Sequence, residues 1–538
     1  MILLIHPPIV RPSEPPPGLA VLAGTLQHHH VAFDVLDANL EGIWYLLKNF
    51  HGLTSEVRGK GMVRDTWTGR AYRHLHRNLS WLTSPVGYTN MNRYSRAVRD
   101  VQRILEKSSH SKRTIVSLAN YSDARFSPLR SADLAYCAEN HQESPFSAYF
   151  QERLSQLIEE RQPDWVGFSL NYLSQALCTF SMTGFLKRQY PSLRIVLGGG
   201  LVTSWMRRPR WRDSFHGLVD AWIAGPAEQQ LLALLENRGD SLRRAPSYDS
   251  FVSRSDAEQF SHASYLSPGF ILPYSASSGC YWGKCSFCPE RAERNPYRPV
   301  SSNDLIRELG ELTSRTAPVL IHLVDNALSP LHLAALAKRP PGAPWYGFAR
   351  VTPELADQDF CLALKQSGCV MLQLGLESGD QAVLDALNKG IKLETSSGVL
   401  KAMENAGIAS YVYLLFGTPA ETHEAARHTL RFAAAHASLI SFLNLAIFNL
   451  PAFGPDTAGL DTEEFYDGDL LLYRSFHHPD GWHRNNVRQF LDREFRRHPA
   501  IAPILHRDPF VFTSSHAPFF VGANTRHAFP GLPKPCPD

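Results

Sequence analysis

Short apolar runs alternate with stretches of helical periodicity through the first 240 residues. The runs Ile2–Ile5 and Val31–Leu36 are typical of buried strands, and apolar side chains between them recur at helical spacing. Further strand-like runs occur at 164–169, 193–197 and 219–223, with a helical stretch at 174–189. Five β/α units of this length predict an α/β fold, a doubly wound, Rossmann-like domain over residues 1–240. Its ligand is expected beyond the carboxyl ends of the strands.

The same alternation restarts after a polar stretch, residues 241–272, which is predicted to be a linker. Six apolar runs then predict strands near Tyr274–Ser277, Val319–Asp325, Trp345–Val351, Val370–Glu377, Ser410–Phe416 and Leu439–Phe448. Six β/α repeats over residues 273–450 predict a partial (β/α)6 TIM barrel with its chemistry at the carboxyl ends of its strands. Residues 451–538 are an aromatic, His-rich tail that we expect to pack across one mouth of the barrel.

The first domain contains a long insertion at about residues 43–162, too long for a simple connection. Helical spacing of Tyr94, Val98, Val101 and Leu105 predicts one helix, and Phe150 to Ile158 predict another. Residues 51–130 carry an excess of ten positive charges. A solvated basic surface is the simpler interpretation; a substrate lid that binds an anionic substrate or an acidic peptide is the alternative.

Composition and charge narrow the class of protein. Hydrophobic residues make up 44% of the 538 residues and charged residues 20%, which is typical of globular domains and not of disordered chains. No apolar run approaches the roughly 18 residues that cross a bilayer, and the first residues do not resemble a signal peptide. The net charge of +3 does not indicate a nucleic-acid partner, and eight Cys are too sparse for an extracellular disulfide framework. We therefore expect a cytoplasmic protein with no membrane span.

The strongest chemical signal is a cysteine triplet, Cys280, Cys285 and Cys288, at the end of the first barrel strand. A structural zinc site closes with four protein ligands, and no second paired Cys motif lies nearby. Three thiolates around an iron-sulfur cluster instead leave one iron open for chemistry. Three buried Cys that act only as small hydrophobic residues are the alternative, which the clustering with Gly279 and Gly283 argues against.

This segment resembles the signature of the radical S-adenosylmethionine (SAM) superfamily, which is commonly C-x3-C-x2-C with an aromatic residue before the last Cys. Here the spacing is C-x4-C-x2-C, with Phe287 in the aromatic position. The resemblance implies that the three Cys hold a [4Fe-4S] cluster whose open iron chelates SAM. An electron then cleaves SAM to a 5'-deoxyadenosyl radical.

Segments behind the triplet are similar to those that contact SAM in this superfamily, such as Leu374–Asp380 and Leu414–Thr422. Asp325 stands where Gly-Gly-Glu is common and is the candidate for the SAM amino group, and Arg350 is the candidate for the carboxylate. The SAM contacts implied by the resemblance are Phe287, Asp325, Arg350, Gly375, Glu377 and Gly417. No catalytic residue is assigned from the sequence.

A doubly wound domain before such a barrel resembles the cobalamin-binding, class B methylase branch. Glycines after strands let backbone amides approach a bulky corrinoid. The implied cobalamin contacts are Pro7, Pro8, Ser169, Gly198, Gly199, Gly200, Gly225 and Glu228. Asp37–Gly42 has the spacing of a cobalt-ligand motif with Asn39 in the His position, but it follows the second strand, so no His ligand to cobalt is predicted. The run His28–His30 is interpreted as a helix cap.

The resemblance implies a radical SAM enzyme, a cobalamin-dependent methyltransferase that methylates an unactivated carbon in a natural product or peptide. Its expected partners are a small-molecule or peptide substrate and an electron donor such as a flavodoxin or ferredoxin. Cyclisation, epimerisation or crosslinking without methyl transfer is the alternative within this chemistry. A zinc-binding interaction protein is the alternative from a different class.

Overall fold

The computed structural model describes residues 1–50, 65–109, 113–209, 211–235, 246–249, 251, 265–454, 457–509 and 516–521. Much of the predicted linker and the end of the tail, including Cys536, lie outside these residues, as does part of the basic segment 51–130. Within the described ranges, no helix is long and apolar enough to cross a membrane.

The first domain is built on a five-stranded parallel sheet with the order β2-β1-β5-β6-β7. Its strands are β1 (Ile2–His6), β2 (Phe33–Asp37), β5 (Trp165–Ser169), β6 (Arg194–Gly198) and β7 (Ala221–Trp222). β1 is buried along its whole length, as its unbroken apolar run requires. The accompanying helices are Pro17–His28, Ala38–Lys48, Leu173–Gln189, Gly200–Met206 and Glu228–Leu234. The order reverses between β1 and β5, where doubly wound sheets bind ligands.

The second domain is a six-stranded parallel sheet with the order β15-β14-β13-β12-β11-β8. The strands are β8 (Ile271–Tyr274), β11 (Leu320–Leu328), β12 (Trp345–Ala349), β13 (Cys369–Glu377), β14 (Ala409–Phe416) and β15 (Phe442–Ile447). Helices Pro289–Ala292, Ser302–Thr316, Pro330–Lys338, Gln358–Gln366, Gln381–Ala386, Leu393–Ala406 and His423–Ala435 connect them. Five of the six strands lie where they were predicted, and the first lies three residues earlier, at Ile271–Tyr274 and not Tyr274–Ser277. The predicted α/β fold with a partial (β/α)6 barrel is confirmed.

The insertion is mostly helical. Its helices are Thr66–Arg73, Leu75–Leu82, Met91–Ser108, Ser131–Glu139 and Ser147–Arg161, and β3 (Thr114–Val116) pairs with β4 (Tyr121–Asp123). Helix Met91–Ser108 buries the predicted stripe of Tyr94, Val98, Val101 and Leu105. Arg93, Arg96 and Arg99 on the same helix are exposed.

The described part of the tail contains β16 (Leu450–Pro451), β17 (Thr462–Glu464), β18 (Tyr473–Phe476) and helices Arg484–Phe490 and Ala502–His506. Trp482 donates a hydrogen bond to Glu421, just beyond the carboxyl end of β14. The ring of His516 lies 4.6 Å from that of Tyr411, near the amino end of the same strand. The tail therefore contacts both ends of the barrel wall and not one mouth alone.

The two domains share a buried interface. The Tyr265 hydroxyl donates to Asp37 over 2.7 Å, and Glu14, in the loop after β1, lies 2.8 Å from His322 Nδ1 on β11. The His322 ring stacks on Tyr346 at 4.5 Å. The loop that carries Pro7 and Pro8 therefore continues to the inner face of the barrel.

Candidate active site

The cysteine triplet lies on a loop whose two ends are joined. β9 (Ser277–Ser278) pairs antiparallel with β10 (Arg298–Pro299), which closes residues 279–297 into a loop at the carboxyl end of β8. Gly279 has φ +73°, and a Cβ there would lie 2.6 Å from the Pro296 carbonyl oxygen. Only glycine readily adopts this φ and also leaves space for the Pro296 carbonyl, so the turn requires glycine at this position.

The three thiols are free, with Cys285 buried and the other two partly exposed. Burial raises the pKa of Cys288 to about 11 and also raises that of Cys285. Among the described residues, no group of three or more His, Cys, Asp or Glu side chains is arranged to hold a metal ion. Cluster binding therefore requires the thiols to lose their protons and their sulfurs to turn toward one another.

Residues 387–390, which follow the fourth strand of the barrel, hold the cysteine loop in place. The Leu387 carbonyl accepts from Ser286 N at 3.0 Å, and the Asn388 carbonyl accepts from Trp282 Nε1 at 2.9 Å. A Cβ at Gly390 would lie 2.1 Å from the Trp282 ring. The indole therefore packs directly on the glycine backbone.

A buried ion pair lies behind this loop. Lys389 Nζ is 2.8 Å from Glu377 Oε1, and the two side chains are only 7% and 12% exposed. Gly375 leaves room for the pair, because a Cβ there would lie 2.6 Å from the Glu377 carboxylate. Glu377 ends β13 with φ +69°, an uncommon conformation that is typical of functional sites. Lys389 was not predicted as a site residue.

Arg350 joins the same group of side chains. Its guanidinium donates to Cys285 Sγ at 3.9 Å and to the Lys389 carbonyl, and it stacks over the Trp282 ring at 4.2 Å. Phe287 lies on the other side, with the Lys389 ammonium 5.5 Å from its ring. The structure thus brings Cys285, Phe287, Arg350 and Glu377 together, as the predicted SAM contacts require.

Gly417 lies at the neighbouring strand end. It has φ +77°, and its N–H donates to Glu421 Oε2 at 2.5 Å. Trp482 donates to the same carboxylate oxygen, and burial raises the pKa of Glu421 to about 7. Glu421 therefore fixes the turn that carries Gly417.

Asp325, the residue predicted to contact the SAM amino group, already has partners within the protein, and its contact with SAM stays a prediction. Its carboxylate accepts hydrogen bonds from Ala276 N at 2.9 Å and Ser277 Oγ at 2.5 Å, and the residue is 3% exposed. Asp325 therefore stabilises the connection that leads into the cysteine loop. The next residue, Asn326, is exposed and donates to the Gly279 carbonyl at 3.3 Å. Neighbouring side chains on a strand lie on opposite faces, so the sequence could have indicated that Asp325 and Asn326 have different surroundings.

The predicted cobalamin contacts at β1, β5 and β6 come together at the carboxyl edge of the first sheet. Asn171 Nδ2 donates to Ser169 Oγ at 3.0 Å, and Asn171 Oδ1 accepts from Gly200 N at 2.9 Å. Gln175 donates to the Pro7 carbonyl at 2.7 Å, beside the buried Pro8. Asn171 and Gln175 were not predicted, since neither belongs to a recognisable motif.

Gly198 and Gly199 leave the backbone of this edge uncovered. The Gly198 carbonyl accepts from Leu170 N at 2.8 Å. Gly199 has φ +105°, and a Cβ there would lie 2.5 Å from the Leu170 carbonyl oxygen. Small residues at this strand edge fit a bulky ligand that approaches the backbone.

Gly225 and Glu228 lie farther along the same edge. Gly225 N donates to Thr203 Oγ1 at 2.9 Å, with φ +74°. The buried Glu228 lines a cavity of about 460 Å³ together with Ser278 and Arg298, at the base of the cysteine loop. Glu228 thus faces the barrel and not the glycine edge.

The Asp37–Gly42 segment has no role as a cobalt ligand motif. Asp37 caps helix Ala38–Lys48, and the buried Asn39 accepts a hydrogen bond from Val10 N at 2.8 Å. Both residues therefore shape the loop after β1. Helix Pro17–His28 ends at the His run, as predicted.

The chemistry of both edges fits the expected groups. Three free thiols on a glycine-turned loop match the donor set of an iron-sulfur cluster with one open iron. Gly198, Gly199 and Gly200 place no side chains at the carboxyl edge of the first sheet, which fits a large ligand that approaches the backbone.

Comparison with known proteins agrees with this geometry. Residues 274–433 match the family described as the Radical SAM superfamily. The matched residues begin at the end of the first strand of the barrel and extend through helix His423–Ala435, so the match lies within the second domain.

Two curated proteins are similar in sequence. The anaerobic magnesium-protoporphyrin IX monomethyl ester cyclase of Rubrivivax gelatinosus is 25% identical over 156 residues, which cover 28% of each chain. An uncharacterized methyltransferase of Pyrococcus horikoshii is 22% identical over 52% of this chain and 66% of its own. The matched region therefore spans less than two thirds of either relative.

Among solved structures, the chain is similar to TsrM of Kitasatospora setae, a radical SAM methyltransferase determined with cobalamin and a [4Fe-4S] cluster bound. The TM-score is 0.51 at 16% identity, covering 88% of this chain and 82% of TsrM. The similarity extends over both domains, which confirms the fold expected of the cobalamin-binding branch.

Proposed function

We propose that this protein is a radical SAM enzyme that binds a [4Fe-4S] cluster, SAM and cobalamin, and that it methylates an unactivated carbon of a natural product or peptide. The observation that carries the proposal is the cysteine loop, which is closed by β9 and β10 and anchored by residues 387–390 within the matched domain. We further propose that it acts in the cytoplasm and receives electrons from a flavodoxin or ferredoxin.

Cys280, Cys285 and Cys288 would hold the cluster. When bound, the cluster supplies an open iron for SAM and the electron that cleaves it to a 5'-deoxyadenosyl radical. The chain's own residues set the surroundings: Arg350 places positive charge beside Cys285, and the Lys389–Glu377 pair fixes the adjacent strand end. Trp282 contacts both Arg350 and Gly390, which positions the loop against this group.

Gly198, Gly199 and Gly200, with Ser169 and Pro7, would form the cobalamin edge. Cobalamin, when bound, supplies a carrier for the methyl group. Asn171 and Gln175 hold this edge from below by bonding to Ser169, Gly200 and Pro7. Similarity to TsrM over both domains supports this arrangement.

The alternatives differ in products that are measurable without knowing the substrate. Methylation through cobalamin consumes a second SAM and yields S-adenosylhomocysteine. Cyclisation, epimerisation or crosslinking without methyl transfer yields 5'-deoxyadenosine alone. A zinc-binding interaction protein yields neither.

The test uses the full chain, reconstituted anaerobically with iron, sulfide and hydroxocobalamin and reduced in the presence of SAM. Cys285→Ser is compared with Cys361→Ser, a matched control at a buried thiol outside the loop. The control hydroxyl retains the hydrogen bond that Cys361 donates to the Leu355 carbonyl at 3.2 Å.

Wild type and Cys361→Ser are expected to form both 5'-deoxyadenosine and S-adenosylhomocysteine, and Cys285→Ser is expected to form no 5'-deoxyadenosine. Full 5'-deoxyadenosine formation in Cys285→Ser would overturn the cluster assignment. Absence of S-adenosylhomocysteine in wild type would favour the reactions without methyl transfer.

A further inference from the structure

A cavity of about 1120 Å³ opens where four parts of the chain meet. The barrel contributes Tyr411, Tyr413 and Asn444, and the loop after β1 contributes Arg11. The insertion and the tail form the remaining walls. The volume is sufficient for a ligand larger than an amino acid.

The cavity extends into the lumen of the radical SAM barrel. Tyr413 accepts a hydrogen bond from Gln373 Nε2 at 2.9 Å, and its ring lies 4.9 Å from that of Phe348. Phe348 is the penultimate residue of β12, and Arg350 directly follows that strand. Through Tyr413, the cavity wall therefore contacts β12 near its carboxyl end.

Arginine dominates the wall that the insertion contributes. Arg96 and Arg99 lie on the exposed face of helix Met91–Ser108 and line the cavity. Arg93, on the same helix, does not line it and instead stacks over the Trp81 ring at 4.7 Å. The three arginines therefore have two different surroundings: Arg96 and Arg99 line the cavity and Arg93 does not. A uniform basic surface would show no such division.

The acidic groups of the wall already have protein partners. Asp100 accepts from Trp67 Nε1 at 3.0 Å and Asn78 Nδ2 at 3.2 Å, and lies 3.7 Å from Arg70. Asp508 is hydrogen-bonded to His516. Both carboxylates are therefore already hydrogen-bonded within the wall.

We propose that this cavity is the substrate pocket and that it selects a substrate with an oxyanion group, a carboxylate or a phosphate, bound by Arg96 and Arg99. Arginine binds both groups through paired, charge-assisted hydrogen bonds. An unsaturated or ring portion of the substrate lies against Tyr411 and Tyr413, toward the barrel lumen. This inference rests on the proposed radical SAM function, because it assigns the pocket to that reaction.

Anion binding by the reconstituted full chain tests the pocket. Phenyl phosphate and phthalate are titrated by calorimetry into wild type, Arg93→Gln and the double variant Arg96→Gln/Arg99→Gln, with neutral benzamide as the uncharged probe. Phenyl phosphate and phthalate distinguish a phosphate site from a carboxylate site. Thermal unfolding checks that the substitutions, all on an exposed face, leave the fold intact.

Wild type and Arg93→Gln are expected to bind at least one anion with equal affinity, and the double variant at least tenfold more weakly. Added salt should weaken binding to the wild type. Equal affinity in all three proteins, benzamide binding as tight as the anions, or no saturable binding to wild type would overturn the proposal.

Formation of 5'-deoxyadenosine by the wild type, measured in parallel, separates the two conclusions. If the wild type cleaves SAM but the anion titrations fail, the pocket assignment alone is wrong. If the titrations succeed but no 5'-deoxyadenosine forms, the proposed radical reaction is wrong and the anion site stands.

Discussion

The carboxyl edges of the two parallel sheets are prepared for ligands in different ways. The barrel edge holds charged groups in buried contact, with Lys389 paired to Glu377 and Arg350 against Cys285. The edge of the first sheet is held by neutral amides, Asn171 and Gln175, which bond to a backbone of small residues.

This difference matches the ligands proposed for the two edges. Fixed charges in a buried site act strongly on an ionic ligand such as SAM, because little water screens them. A neutral edge with uncovered backbone offers space and hydrogen bonds to a large ligand without fixing its charge. Each edge is therefore expected to fail separately when it is altered, and the following variants test that separation.

The largest effect is expected for Gly390→Ala. The new Cβ would lie 2.1 Å from the Trp282 ring, so the cysteine loop must move. Formation of 5'-deoxyadenosine should fall on the order of tenfold or more, while cobalamin retention on gel filtration is unchanged. Gly407→Ala is the control, because Gly407 has a similar φ of +71° but meets only the tip of Lys365, at 3.9 Å. Equal 5'-deoxyadenosine formation by both variants would show that the packing of Trp282 on Gly390 does not support the cluster site.

The reciprocal change is Gly199→Ala. Its Cβ would lie 2.5 Å from the Leu170 carbonyl oxygen, which displaces the cobalamin edge and leaves the cysteine loop untouched. The variant should lose cobalamin during gel filtration but retain wild-type iron content. Gly217→Ala, at φ +83° with open space around it, should retain both. Loss of iron from Gly199→Ala would contradict the independence of the two edges.

Lys389→Met leaves Glu377 buried without its counter-charge. Removing one partner of a buried pair costs about 3–5 kcal/mol of stability, and the variant should unfold at a clearly lower temperature. Lys392→Met removes a lysine whose side chain is 69% exposed and should change stability by about 0.5 kcal/mol or less. Equal melting temperatures for the two variants would show that the Lys389–Glu377 pair does not stabilise this edge.

A smaller, pH-dependent effect is expected at Glu421. Burial raises its pKa in the folded protein to about 7, from 4.5 in the unfolded chain. The folded state therefore retains the proton between these values, and stability should fall as pH rises from about 4.5 to 7, by on the order of 3 kcal/mol in total. Glu421→Gln should flatten this part of the wild-type curve of melting temperature against pH. If the curve of Glu421→Gln runs parallel to that of the wild type between these pH values, the raised pKa of Glu421 is contradicted.

Sequence patterns predicted the strands well because each is a buried apolar run with clear flanks. The insertion helix was also predictable, since Tyr94, Val98, Val101 and Leu105 recur at helical spacing. That spacing placed Arg96 and Arg99 on the opposite face, but nothing in the sequence indicated that this face lines a cavity shared with Tyr413. Both residues are exposed, so a solvated basic surface and a substrate lid both stay predictions for them.

The candidate site was predictable only where a motif carried it. The cysteine triplet has a characteristic spacing, whereas Lys389, Asn171 and Gln175 act through contacts that form only in the folded chain. Asp325 was assigned from its position in a family pattern, and its hydrogen bonds to residues 276 and 277 were not predicted. The alternation of side chains along a strand decides such cases, because it determines which face of the sheet each side chain occupies.

Mössbauer spectroscopy of the full chain, reconstituted with isotopically enriched iron and recorded with and without SAM, tests the central claim most directly. Three thiolates from Cys280, Cys285 and Cys288 leave one iron of a [4Fe-4S] cluster without a protein ligand. The account predicts that SAM shifts the signal of one iron out of the four and leaves the other three unchanged. A spectrum that SAM does not alter, or a protein that retains zinc and no iron, would contradict it.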